Sequence, residues 1–193
     1  ANLEPRSKVR PRLMYVESSN GAAFDQGVVE QLGGYSPLLF AAAQGNVEIG
    51  QVLIRSEVNV NGVAANGASP LVVATHSGHP DFARLLLEAG ADPDAIDAGY
   101  NAMHAAILRG DLETVEALLA NGADPDVRLQ RATPIQRASE DWALKSPLVS
   151  ATPYWLAAYY REAKIMSVLE QGGANTLLTS EEVFREKGRT RAD

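Results

Sequence analysis

The sequence predicts an all-α solenoid: stacked helix–turn–helix units, short β-hairpin-like fingers, and one long finger insertion. Three observations carry this. Segments recur at a fixed period: Gly90-Ala91-Asp92-Pro93-Asp94 returns as Gly122-Ala123-Asp124-Pro125-Asp126, and Ser36-Pro37-Leu38 returns as Ser69-Pro70-Leu71. Each period holds two short apolar segments with helical spacing. Between periods lies a tight-turn signal, clearest at Asn66-Gly67. One helix pair of this size cannot bury its apolar side alone, whereas stacked pairs can.

The first helices read SPLLFAAAQGN, SPLVVATHSGH, NAMHAAILRGD and TPYWLAAYYRE. Each opens on a side chain able to accept from a free backbone amide: Ser36, Ser69, Asn101 and Thr152. Proline follows in three, at the position where its missing N–H costs nothing. Three stop at a glycine, Gly45, Gly78 and Gly110, as a left-handed helix end favours. Arg161 stands at that place in the fourth, which predicts a weaker or differently built stop.

The second helices are VEIGQVLIR, PDFARLLLEA, LETVEALLA and EAKIMSVLEQ. Leu112, Val115, Leu118 and Leu119 show their helical spacing. Small residues recur on the first helices, including Ala41, Ala74, Ala106 and Ala157, and permit close approach between neighbours.

These residues together resemble the ankyrin repeat, a turn–helix–loop–helix unit with T-P-L-H, A-A, G-H, L-L and G-A-D-V-N positions. The resemblance covers about residues 33–178, as four repeats: 33–63, 64–95, 96–127 and 128–178. The fold it implies is an ankyrin-repeat solenoid. The match is imperfect: the histidine of T-P-L-H survives only as His104. The fourth repeat departs most. Thr133-Pro134-Ile135 resembles a helix start, but the spacing to Gly173 places the start at Thr152. The finger before it therefore holds 19 extra residues, among them Trp142 and a possible helical turn at residues 138–144. This insert is similar to long fingers in bacterial ankyrin arrays, so the chain is expected to be a segment of such an array.

The flanks carry weaker signals. Residues 1–12 look unstructured, residues 13–32 are expected to wrap the open face of the first repeat, and 1–32 as a whole form a partly disordered flank. Thr179 to Glu182 has a capping-box pattern, so the 179–193 tail is expected to begin with a helix through Lys187.

Composition bounds the function. The chain has 193 residues, 46% hydrophobic and 21% charged, which is ordinary for a folded domain. It has no cysteine, which removes disulfides and thiol chemistry but leaves the compartment open. No apolar run is long enough to span a membrane. Net charge is −7, and eight of the 17 basic residues lie in residues 1–12 and 185–193. The remainder, with nine basic and 21 acidic residues, would repel phosphate, so neither nucleic acid nor membrane is expected as a partner.

Nothing points to catalysis or to a cofactor. His76, His79 and Asp81 have metal-like spacing, but Gly78 interrupts the helix between the histidines. Resemblance implies that His79 and His104 brace backbone instead. The Gly62–Ser69 stretch has the outer spacing of a phosphate loop, with Ala68 in place of the lysine. The aspartates at positions 92, 94, 97, 124 and 126 belong to the repeat-end loops, where stacking would set them in an acidic row.

The expected function is non-catalytic: a protein–protein interaction module, with no metal and no small-molecule substrate. The alternative is a structural segment of a longer scaffold without a dedicated ligand. Ankyrin geometry implies a concave face lined by finger tips and the ends of the first helices. Mapped here, its candidates are Tyr35, Ala43 and Gln44; Ala68, His76 and Ser77; Tyr100, Leu108 and Arg109; then Tyr159 and Tyr160. Trp142 is expected to join Tyr100, Tyr159 and Tyr160 from the insert, as aromatic and arginine side chains do at interface hot spots.

Overall fold

The computed structural model describes residues 4–16, 26–133, 143–145 and 148–178. In chain order the elements are strands β1 (Arg10–Val16) and β2 (Gln26–Leu32), then helices α1 (Pro37–Gln44), α2 (Val47–Arg55), α3 (Pro70–Ser77), α4 (Pro80–Glu88), α5 (Ala102–Arg109), α6 (Leu112–Ala120), α7 (Pro153–Tyr159) and α8 (Ala163–Gln171). The helices form four antiparallel pairs. First helices pack on first helices (α1, α3, α5, α7), and second on second (α2, α4, α6, α8).

Local chemistry sets the boundaries. Ser36 and Ser69 Oγ accept from the Leu39 and Val72 amides at 3.3 Å, and Asn101 Oδ1 accepts from His104 N at 3.2 Å. Thr152 Oγ1 takes the Trp155 amide at 3.4 Å. Gly45, Gly78 and Gly110 close α1, α3 and α5 in the left-handed conformation. Arg161 keeps the same conformation after α7, with φ 64° despite its side chain. The fourth stop is therefore built like the others, on a residue that pays for it in sterics.

One core runs the length of the stack. Leu39, Leu71, Phe82, Leu86, Met103, Ile107, Leu118, Leu156 and Leu169 are fully buried along it. Gly50 on α2 lets α4 approach: a β-carbon there would meet the Phe82 ring at 2.6 Å.

The fingers project between pairs. Gly67 turns the second one, with Ala64 N donating to Ala68 O at 2.9 Å. The fourth is long, as its spacing requires. Its two sides pair where Leu129 N donates to Ala151 O and Thr133 N to Leu144 O. Its own Leu129, Leu144 and Leu148 are buried in the core.

Residues 4–12 differ from the expectation of an unstructured segment. Ser7 N donates to Tyr35 O, and Gly34 N to Ser7 O. Arg6 donates to the Gly34 and Val63 carbonyls. Arg10–Val16 then pairs antiparallel with Gln26–Leu32. This ribbon forms because β-pairing satisfies its backbone, although its side chains do not build a second core. Part of the expected turn at 138–144 and the expected helix at 179–187 fall outside the described residues.

Candidate functional site

The ends of the four first helices stack at equivalent positions. Ala43-Gln44, His76-Ser77, Leu108-Arg109 and Tyr159-Tyr160 therefore form one row. Each of the three left-handed glycines after a first helix is overlaid from the next repeat: His79 lies over Gly45, Arg109 over Gly78, and Glu162 over Gly110.

Two of the overlying groups also cap carbonyls. His79 Nε2 bonds to Ala43 O at 3.2 Å, and Arg109 Nε donates to His76 O at 2.8 Å. Ala43 and His76 are equivalent residues, so an imidazole and a guanidinium perform one task. Both place a donor at the negative end of a helix.

His104 also braces backbone. Its Nδ1 accepts from Asn101 N at 3.2 Å and its Nε2 donates to Val127 O at 3.1 Å. Burial pushes its pKa down to about 4, against the opposing pull of the Val127 bond. The ring is neutral.

The aspartate row is a ladder of backbone amides. Asp92 N donates to Asn61 Oδ1, Asp124 N to Asp94 Oδ1, and Asn175 N to Asp126 Oδ1, at 2.8–3.0 Å. Burial raises the Asp94 pKa; the Asp124 amide opposes this, and the Asp124 and Asp92 charges add to it. Among the described residues no three His, Asp or Glu side chains gather as a metal site.

Of the expected surface residues, Gln44 and Tyr159 are exposed, and Tyr35, His76, Ser77, Arg109 and Tyr160 are half-buried. Three differ. Leu108 is buried in the core between neighbouring first helices, and Ala68 is buried at its finger. Tyr100 is buried too. His76 lies 6.0 Å from its ring, and Tyr35, Arg131 and Glu30 are close enough to act on its hydroxyl. Burial, then Tyr35 and Glu30, push that hydroxyl up to about 12, with Arg131 opposing. Trp142 lies outside the described residues.

The row is thus split into two aromatic groups. Tyr35, Tyr100 and His76 form one. Trp155, Tyr159 and Tyr160 form the other, with Trp155 stacked on Tyr159 at 5.9 Å and Tyr160 edge-on to Tyr159 at 5.1 Å.

Sequence reasoning missed Glu30 and Arg131. Arg131, at the base of the long finger, donates to Ala98 O at 2.8 Å and Asn66 O at 3.4 Å, and pairs with Glu30 on β2 at 3.3 Å. It ties the fingers of three repeats and the N-terminal ribbon together. No local sequence signal marks a pair so far apart.

The architecture is that of a repeat solenoid with side-chain-capped helix pairs, amide-bridged loops and projecting fingers. A family profile for ankyrin repeats in three copies matches residues 13–97, and one for a single ankyrin repeat matches 98–128. The chain belongs to the ankyrin-repeat family. It is 34% identical over 115 residues to the E3 ubiquitin-protein ligase KEG of Arabidopsis thaliana, covering 56% of this chain and 7% of that protein. It is 35% identical over 97 residues to the ankyrin repeat and KH domain-containing protein mask-1 of Caenorhabditis elegans, covering 49% and 4%. The ankyrin repeat and SAM domain-containing protein 6 of Mus musculus is 35% identical over 94 residues, covering 47% and 11%. The chain thus spans about a tenth or less of the length of these relatives. They are eukaryotic proteins and lend no support to the expected bacterial setting. Ankyrin repeats are in general protein–protein interaction modules, and this chain is built of them.

Proposed function

We propose that this chain binds a protein partner, without catalysis, through the face formed by its first-helix ends and fingers. One observation carries the reading. The Gln44, His76-Ser77, Arg109 and Tyr159 row remains accessible beside the buried residues of the first helices, and it ends in an aromatic cluster. Large rigid side chains at a surface supply binding energy at small entropic cost, and anchors of this kind cost about 2 kcal/mol or more when truncated. Arg109 adds planar donors that already hold the His76 carbonyl. Gln44 and Ser77 supply polar contacts beside them.

The face is bounded by the chain's own ribbon. Glu30 and Arg131 hold β2 beside the finger tips, so a partner would meet β2 as one wall of its site. Affinity capture from the source cell, followed by variant binding, tests the proposal. Tyr159→Ala and Gln44→Ala should each lower capture of the identified partner and leave the melting temperature near that of the parent. Full capture by both would overturn the assignment of this face.

A further inference from the structure

The stack has one end whose apolar side chains face outward. Phe40 on α1 is 52% exposed, while its equivalents Val73, Ala105 and Leu156 are 7%, 0% and 0% exposed. Ile49 on α2 is 50% exposed, while Phe82, Thr114 and Ile165 at the same place are 0–2%. Val52 is exposed where Leu85, Ala117 and Val168 are half-buried.

What covers these positions can be read from the other repeats. Leu156 and Ile165 are buried in the fourth repeat, where no described helix pair follows. The cover therefore comes from the preceding repeat. The Phe82 ring against Gly50 shows the contact directly: this position rests on the second helix of the unit before it.

A second observation points the same way. Every described repeat-end loop offers an amide to a side chain of the loop before it: Asp92 to Asn61, Asp124 to Asp94, Asn175 to Asp126. Asn59 N occupies the donor place in the first loop, and it donates to Glu4 Oε1 at 2.7 Å. Glu4 thus stands where Asn61, Asp94 and Asp126 stand. The sequence is in register as well: Ala1-Asn2-Leu3-Glu4 aligns with Ala91-Asp92-Pro93-Asp94 and Ala123-Asp124-Pro125-Asp126. The described residues 5–16 and 26–35, which include the ribbon, then take the place of a finger, a long one like that before α7.

We infer that Phe40, Ile49 and Val52 form the seat of an ankyrin helix pair, with Glu4 supplying at this joint the loop acceptor that Asn61, Asp94 and Asp126 supply at the later ones. The occupant is an in-line repeat. It presents a second helix with a small residue at the Gly50 position, so that Ile49 rests on it as Phe82 rests on α2. The joint continues the one already made three times within the stack.

The test supplies that occupant. Residues 64–90 of this chain are fused directly ahead of Ala1, so that Gly90 runs into Ala1 and restores a Gly-Ala-Asn loop. The fusion should unfold in one transition at a higher urea midpoint than the parent chain. Amides of α1 and α2 should exchange at least about tenfold more slowly, as nearest-neighbour coupling raises local opening energies. Ile49→Lys should leave the parent midpoint nearly unchanged, because the side chain faces water, and should abolish the gain in the fusion. Equal effects of Ile49→Lys in both backgrounds, or unchanged exchange in α1 and α2, would overturn the inference. So would a parent chain that dimerises on its own and is made monomeric by Ile49→Lys, since a second copy would then be the occupant.

Discussion

Glu30 and Arg131 lie 3.3 Å apart across 101 residues of sequence, and their contact joins the N-terminal ribbon to the base of the long finger. Arg131 is also bonded to two carbonyls of neighbouring fingers, so it is held whether or not the ribbon is present. Ion pairs that remain partly exposed contribute less than about 1 kcal/mol. Glu30→Gln should leave the global denaturation midpoint almost unmoved while speeding amide exchange in β1 and β2. Arg131→Ala should cost more, because it also removes the donors on Ala98 O. Equal global losses from both would show that the ribbon is part of the core.

Leu86 and Leu118 are fully buried at equivalent positions on α4 and α6. Each Leu→Ala change removes packing on both sides of a joint and should cost roughly 2–5 kcal/mol. Urea denaturation of the two variants checks this. An unmoved midpoint in both would mean that the repeat register is misplaced.

His104 makes stability depend on pH in a defined window. Its folded pKa is about 4, below the ordinary value of 6.5. Between those values the unfolded chain takes up a proton that the folded chain refuses. The stabilisation it contributes is therefore complete above about pH 6.5 and is lost as pH falls through about 4. A His104→Gln variant, less stable at pH 7, should lose less further stability between pH 6.5 and 4 than the parent. Parallel pH profiles for the two would contradict the neutral, buried ring.

Arg161 holds φ 64°, a conformation that costs a residue with a β-carbon and suits glycine. The three equivalent positions are glycines. Arg161→Gly should raise stability by up to about 1 kcal/mol, read as a higher melting temperature. A lower one would mean that the arginine side chain makes contacts outweighing its backbone strain.

Much of this was legible because it is local or periodic. Ser36, Ser69, Asn101 and Thr152 cap helices through bonds spanning three residues, which any short window of sequence contains. The long finger followed from spacing alone, since Thr152 keeps the distance to Gly173 that Asn101 keeps to Gly122. The ribbon was not legible. Arg12, Met14 and Glu30 share one face, Leu13 and Val29 the exposed other, so polarity does not alternate as it does over an apolar core. Tyr100 was misplaced for the same reason: it is enclosed with Glu30 and Arg131, residues far from it in sequence. Leu108 was misplaced because family geometry assigns its position to the surface, whereas here a leucine there joins the core.

Stacking sets the first-helix ends and fingers in one row, the face proposed here for a protein partner. Hydrogen–deuterium exchange on the chain with and without its captured partner tests this most directly. Exchange should slow around residues 43–46, 76–79, 108–111 and 159–162, and in β2, with the outer second helices α2, α4, α6 and α8 unchanged. Slowed exchange confined to those second helices would place the partner on the opposite side and overturn the proposed binding face.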